Sequence, residues 1–430
     1  VNMQKFRKAV KDTIQEAIFL AIVLLSTSQS IAAKELRDIL RQSLLNDPLL
    51  LEAQANKSAA GSATKATRAG HYPVISVTGT QTLLQKNDDS DDDLSNGLGV
   101  KGSLNLYAWG GIEAGVKRDK QKEIYYDYKY YETQEELGKT IGRLYLRALR
   151  AKESLLINEQ SLNRHNKLLN DLGVVVQYDS GRRSELIEAR SRQLQVQTTI
   201  IQLRRTMELA LSELSKYTPE PIKPEDLQDP FSADSTTSLI NRFRQEDNGN
   251  NPTYLAQKAE RESTRYELDV SKASRLPALN LEGYMSNKSK QVYLNLQWNL
   301  FDEASRHTVN KNKHTLIAAD AKLDQILREV GERARTAEID MAQSERQVNI
   351  SAEHIVAQKE VVKAYELQFK VARRTLTDVL NSYIELSRIE QENITARNDF
   401  RDAALEYLVS QSQIARWAGI TNSQDMNSAK

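Results

Sequence analysis

Gly138-Lys139-Thr140 has the closing residues of a phosphate-binding loop, where backbone N–H groups cradle phosphate and the lysine neutralises it. That motif also needs a glycine five residues before the Gly-Lys, and position 133 is threonine, so the tripeptide reads as a chance arrangement on a helix. The five histidines, His71, His165, His307, His314 and His354, contain no pair at four-residue spacing. His307 and His314 could share a helix face, which reads as solvated rather than metal-binding. The acidic run Asn87–Asp93 lacks the alternating aspartates, glycine and closing glutamate of a calcium loop, so it is expected to be a solvated loop after a strand. No serine occupies a Gly-x-Ser-x-Gly elbow. With no cysteine in the chain, thiolate zinc sites and disulfides are excluded. No catalytic residue, cofactor or metal is therefore expected, and the chain does not read as an enzyme.

If the residues do no covalent chemistry, their arrangement must carry the function. Lys and Arg number 59 against 58 Asp and Glu in 430 residues, so no basic excess exists to replace phosphate counterions and nucleic acid is not an expected partner. A mean hydropathy of −0.58 argues against a bundle of membrane-spanning helices. One apolar run, Ala17 to Leu25, follows Lys5, Arg7, Lys8 and Lys11 and precedes small residues ending at Ala33. Nine residues fall short of the roughly 20 that a spanning helix needs, so residues 1–33 are read as a secretory signal peptide. Asp12 and Glu16 are unusual in such leaders and leave a short buried helix as the alternative.

Proline divides the rest of the chain. Pro219, Pro221, Pro224 and Pro230 mark a linker over 219–231, and the Pro-free stretches 74–218 and 278–430 permit long helices. Asn46-Asp47-Pro48 and Asn250-Asn251-Pro252 stand 204 apart, as do Pro73 and Pro277, and Gly79 and Gly283. Repeated matches at one offset imply an internal duplication, with a first repeat over 34–218, a second over 232–420 and a flexible tail over 421–430.

Within each repeat, strict alternation marks strands: Leu98, Val100, Gly102, Leu104 and Leu106 in the first, and Val292, Leu294, Leu296, Trp298 and Leu300 in the second. Leu279, Leu281, Gly283 and Met285 alternate in the same way, and the Thr-rich segment from Val74 to Leu84 is the weakest of the four. Long polar helices are expected from Ile112 to about Leu172 and from Ala304 to about Lys370, on the order of 90 Å each at 1.5 Å per residue. Leu316, Leu323, Ile326, Leu327, Val330, Ala334, Ala337, Ile339 and Met341 form a narrow apolar stripe, the mark of a coiled-coil seam.

Strands with one apolar and one polar face suit a transmembrane β-barrel, yet four cannot close, since closed membrane barrels need about eight or more. An open edge is not tolerated in hydrocarbon, so several chains must share one barrel. Helices far longer than a membrane is thick would project into water and extend the lumen as a tube. The alternative is a four-stranded sheet packed on a soluble helical domain.

Phe369-Lys370-Val371-Ala372-Arg373-Arg374-Thr375-Leu376-Thr377-Asp378-Val379-Leu380-Asn381 closely resembles the inter-helix turn of the TolC family of outer-membrane channels. The duplicated layout, the paired Asp/Asn-Pro segments and the closing Tyr407–Ile414 helix are similar to that family too, over about residues 35–420. The resemblance implies a mainly α fold with a small β part, in which long coiled-coil hairpins form a periplasmic α-barrel. It implies a homotrimer sharing a twelve-stranded barrel in the outer membrane, working with a periplasmic adaptor and an inner-membrane ABC or proton-driven transporter. Position by position, Asp378 falls on the pore-facing acid, Asn381 replaces a second one, and Arg374 falls on an arginine that latches the first repeat's turn. In that turn, Tyr178 to Leu186, Ser184 and Glu185 would be its partners, and Phe369 stands where a latch tyrosine is expected. As plain residues, Asp378 equally suits a helix's first turn. The Gly181-Arg182-Arg183-Ser184-Glu185-Leu186 turn is similar to the branch serving type I secretion, which passes unfolded proteins such as large adhesins. A drug-efflux channel and a soluble periplasmic scaffold or adaptor remain as alternatives.

Overall fold

The computed structural model describes residues 35–81, 97–245, 247–287 and 289–420. The leader at 1–33, the acidic run at 87–93 and the tail at 421–430 lie outside these residues. In chain order the described elements are α1 (Leu36–Asn46), α2 (Pro48–Arg68), β1 (Val74–Thr80), β2 (Gly97–Tyr107), α3 (Gly111–Tyr178) and α4 (Arg183–Leu214). They continue with α5 (Thr236–Phe243), α6 (Pro252–Ala273), β3 (Ala278–Ser286), β4 (Lys290–Gln297), α7 (Glu303–Lys370), α8 (Leu376–Ser410) and α9 (Ile414–Trp417).

The duplication is visible in the caps. Asp47 accepts from Leu49 N at 2.9 Å with Pro48 at the first helical position of α2, and Asn251 accepts from Thr253 N at 3.0 Å with Pro252 opening α6. Each cap satisfies an orphan N–H, and proline there loses nothing, so both helices start where the sequence signals it. The long helices α3 and α7 are 68 residues each. Helix α3 runs through Gly173 to Tyr178, six residues past the expected end, because a single glycine weakens a helix without stopping it. Strand β4 ends at Gln297, so Trp298 and Leu300 lie beyond it. There Trp298 turns its indole N–H to the carbonyl of Arg275 at 3.2 Å and leaves the ladder.

The contacts form two compact units that cut across the sequence repeats. The smaller takes the described residues up to Ile39 together with Arg147–Pro230, and the larger takes Leu40–Leu146 and Phe231 onward. In the smaller unit, the second part of α3 and α4 form an antiparallel hairpin. Arg147 pairs with Glu213 at 3.0 Å, Arg204 with Glu159 at 3.7 Å, and the Gln193 amide donates to Asn166. Leu168, Leu172, Ala189, Ile200, Met207 and Leu214 are buried, while Lys152 donates to the Leu227 carbonyl and ties down the linker.

In the larger unit the first part of α3 is clasped to α2 by Lys57–Asp127 at 2.6 Å and Thr67–Asp119 at 2.5 Å, and to α6 by Arg118–Glu267 at 2.8 Å. The C-terminal segment seals this region. Phe231 and Trp417 stack at 5.1 Å, Asn251 donates to the Ser410 carbonyl, and Arg41 donates to that of Ala418. The Gly138-Lys139-Thr140 tripeptide has its explanation here. A Cβ on Gly138 would lie 2.4 Å from Ile414 Cγ2, and one on Gly142 would lie 2.7 Å from Leu405. The two glycines, one turn apart, let α8 and α9 approach the α3 backbone, and Lys139 pairs with Glu406 at 3.0 Å. Beside them the buried Glu135 carboxyl accepts from Ile414 N at 3.2 Å, and burial pushes its pKa up to about 8.

Between α7 and α8 the seam is the expected narrow stripe. Ile326, Val330, Ala334, Ala337 and Met341 are buried at three- and four-residue steps, and Leu327 and Ile339, included in that stripe from sequence, are exposed. Their positions fall between the buried rows of a 3.6-residue helix.

Candidate functional site

All four strands form one antiparallel sheet in the order β1-β2-β3-β4, so the central β2–β3 pairing joins the two repeats. The register sorts side chains by face. Val77 stands opposite Val100, Val100 opposite Met285, Leu104 opposite Leu281, and Leu281 opposite Leu294. That face is apolar except for Lys290 opposite Met285 at the end of β4, and its outer strands are uncovered, with Val77 73% and Val292 77% exposed. A contiguous apolar surface of this kind marks an interaction surface or a lipid contact. On the opposite face Glu282 accepts from Asn295 at 2.8 Å and Tyr293 Oη at 3.1 Å and pairs with Lys101 at 3.2 Å. Asn105 donates to Asn280 at 2.9 Å. The Lys101–Glu282 contact was beyond sequence reasoning: it is diagonal across β2 and β3 and exists only in this register.

Aromatic residues collect at the helix-bearing end of the sheet. Tyr107 and Trp109 meet edge to face at 5.1 Å, and Trp109 donates to the Pro277 carbonyl at 2.7 Å. Trp109 takes φ 53° and Gly110 φ 75°, the corner that turns β2 into α3. Tyr72, Trp298 and Phe301 are exposed at the same end. An apolar band edged by aromatic residues is the exterior of a membrane barrel. Among the described residues β1 and β4 each pair on one side only, leaving two edges open. Among the described residues no helix is long and apolar enough to cross a membrane.

The second candidate region is the turn between α7 and α8. Its chain reversal uses Ala372 at φ 55°, with Arg373 N donating to the Gln368 carbonyl at 2.8 Å. Thr375 and Asp378 form a reciprocal capping box. Asp378 accepts from Thr375 N at 3.0 Å and Thr375 Oγ1 at 2.8 Å, and Asp378 N donates to Thr375 Oγ1 at 3.2 Å. The bonds from Thr375 hold the Asp378 carboxyl below the usual carboxylate range, with the Arg374 charge adding to them. Arg374 lies over the Tyr365 ring at 4.4 Å, donates to Gln368 at 3.2 Å, and stands 4.0 Å from Asp378. Tyr365 and Gln368 are partners that the sequence did not reveal, although both lie within nine residues of Arg374 on the same hairpin. Asn381 is exposed and Phe369 half-buried.

Between α3 and α4, Asp179 accepts from Gly181 N at 3.0 Å, and Arg182 donates to Glu185 at 2.7 Å. Ser184 is exposed. Arg374, Asp378 and Glu185 are thus each engaged within their own turn.

The model describing outer membrane efflux proteins matches residues 39–218 and 244–408, one segment per repeat. The outer membrane protein TolC of Vibrio cholerae is 22% identical across 95% of this chain and 96% of its own length. The proteases secretion protein PrtF of Dickeya chrysanthemi is 20% identical across 96% of this chain and 94% of its own. Among solved structures, the outer membrane protein VceC of Vibrio cholerae gives a TM-score of 0.74 at 12% identity, covering 88% of this chain and 96% of that one. The Campylobacter jejuni CmeC outer membrane channel gives 0.73 at 14%, covering 92% and 88%. With a sheet apolar on one face and open at both edges, paired long helical hairpins, and a family match spanning both repeats, the chain belongs to the outer membrane efflux protein family, the TolC-type channels.

Proposed function

We propose that the chain is the outer-membrane exit duct of a type I secretion system, passing an unfolded protein from an inner-membrane ABC exporter and its periplasmic adaptor to the outside. The observation that carries the conduit is the sheet, with one mainly apolar face, one polar face and, among the described residues, two unpaired edges. Three copies edge to edge would give twelve strands, enough to close around water. Exposed apolar rows on the helices also ask for neighbours, with Ile187, Leu194 and Ile201 on α4 and Ile339, Ile350 and Val361 on α7. Support for protein export comes from the Gly181–Leu186 turn and from the relative whose name is proteases secretion protein.

At the turns, three copies of Asp378 would form a carboxylate ring favouring cations in a narrow pore, and Asn381 would leave it a single ring. An Arg374 latch to Ser184 or Glu185 would have to displace the Tyr365, Gln368 and Arg182 contacts these residues already make. Exposed ion pairs contribute about 0–1 kcal/mol, so such a latch opens easily. Asp378→Ala should reduce cation preference in planar bilayers, and Arg374→Ser should raise resting conductance. Unchanged selectivity or conductance would remove the corresponding role.

Two experiments test the whole reading. A heat-modifiable, detergent-extracted trimer is expected from membranes, and a monomer soluble without detergent would overturn the channel in favour of a periplasmic scaffold. Deleting the gene should remove a large protein from the culture medium. The alternative, a small-molecule efflux duct, is favoured by the family description itself, and a deletion that raises drug sensitivity with an unchanged secreted proteome would select it.

A further inference from the structure

At the helix-bearing end of the sheet, a cleft of about 330 Å³ opens between the start of β3 and the end of β4, lined by Lys272, Arg275, Trp298, Leu300, Asp302 and Ser305. Its level is set by the aromatic residues around it, since a band of Tyr, Trp and Phe marks where hydrocarbon gives way to headgroups. Trp298 fixes the cleft's wall by donating to the Arg275 carbonyl, which pins the end of α6 against the end of β4. Leu300 and Phe301, just past the end of β4, are large apolar side chains 81% and 89% exposed among the described residues.

The polar side of the cleft carries both signs. Lys272 and Arg275 supply two cations. Asp302, which caps α7 through Ser305 N at 3.1 Å, supplies an acid within the lining, and Asp269 sits 3.0 Å from the Lys272 ammonium. Two cations against two carboxylates leave no positive excess. A net anionic group would gain from the bases and lose to the acids, whereas a ligand with a phosphate and an ammonium close together gains from both.

We propose that this cleft seats the headgroup of a zwitterionic phospholipid, with its phosphate at Arg275 and Lys272, its ammonium toward Asp302, and its acyl chains along Leu300 and Phe301. The proposal rests on the reading of the sheet as lipid-embedded. It adds that the protein selects among lipids at the headgroup level facing its helices, and so fixes its own depth in the bilayer.

The test uses the intact detergent-extracted oligomer, titrated in native mass spectrometry with phosphatidylethanolamine, phosphatidylglycerol or inorganic phosphate. Phosphatidylethanolamine should be retained in preference to phosphatidylglycerol, and the Lys272→Gln/Arg275→Gln double variant should bind it about thirtyfold more weakly, the loss of two basic groups acting near a lipid surface. Equal retention of both lipids, or an unchanged double variant, would overturn the site. Displacement of the lipid by millimolar inorganic phosphate would assign the cleft to free phosphate and overturn the lipid assignment. A photoreactive phosphatidylethanolamine in vesicles, applied to the unmutated protein, should label residues 298–301, and labelling confined to other segments would overturn the proposal without any variant. Insertion into vesicles is scored separately. A chain that inserts but shows no headgroup preference refutes the cleft alone, while one that fails to insert refutes the membrane reading and the cleft with it.

Discussion

The turn joining α3 to α4 and the turn joining α7 to α8 occupy equivalent places in the two repeats, yet they hold themselves together differently. The second is closed by its own residues. Thr375 and Asp378 cap each other, Leu376, Val379 and Leu380 are buried directly behind them, and Tyr383 donates to Glu366 across the hairpin at 2.5 Å. The first has Arg182 at the start of α4 with no side-chain cap bond, and behind it Ile187, Leu194 and Ile201 lie exposed at seven-residue steps. Helix α7 also exposes an apolar row, but Ile317, Ile339, Ile350 and Val361 fall at multiples of eleven. A seven-residue row drifts around a straight helix and favours a left-handed wrap, whereas an eleven-residue row runs nearly straight or slightly right-handed. Both hairpins thus leave an apolar row for a neighbour, but the second turn is held by its own side chains, whereas the first leaves more of its hold to that neighbour.

The largest effects should come from the apolar residues behind each turn. Leu380→Ala should cost about 2–5 kcal/mol and sharply increase hydrogen exchange at the start of α8. Ile187→Ala should change the stability of its own hairpin by at most about 0.5 kcal/mol while weakening trimer survival in mild detergent. If the two substitutions loosened their own hairpins equally, the contrast between the turns would collapse. Next in size, Tyr383→Phe should cost about 1.5–3 kcal/mol, since it removes a bond to a charged acceptor. Removing the half-buried, solvent-reached Arg182–Glu185 pair by Arg182→Gln should cost about 0–1 kcal/mol. Thermal unfolding of the two variants side by side checks this, and a larger shift for Arg182→Gln would reverse the assignment of stiffness.

The range of each interaction decided how far it was visible in the sequence. The Asp47-Pro48 and Asn251-Pro252 caps and the alternation of β2 and β3 are local, so their residues sufficed. The open sheet edges came from counting strands, which needs no coordinates. The Lys101–Glu282 pair needed the β2–β3 register, which joins segments about 180 residues apart. Gly138 reads in the sequence only as part of a chance tripeptide, because the chain that fills the space beside it and Gly142, Ile414 and Leu405, lies more than 260 residues away. At the second turn the sequence allows Asp378 both a pore role and a cap. The capping box is a local pattern and is present. The pore role depends on neighbouring copies and belongs to assembly.

The smallest effect separates those two roles of Asp378. Its carboxyl is held below its ordinary range by Thr375, so the cap's contribution is present above the unfolded value of about 3.9 and is lost only as pH falls through the lower folded value. A nitroxide at Lys370 should therefore report an unchanged, ordered turn from pH 7 down to about 4 and added mobility only below that. The same label at Tyr178, beside a turn whose α4 start has no side-chain cap bond, should show no such acid step. Asp378→Asn should erase the step at Lys370 and, if the ring is real, reduce cation preference at neutral pH as well. Mobility at Lys370 that rose already at pH 6, or an acid step that survived in the asparagine variant, would detach the cap from Asp378. The stiffness of the second turn would then rest on its buried leucines and valine alone.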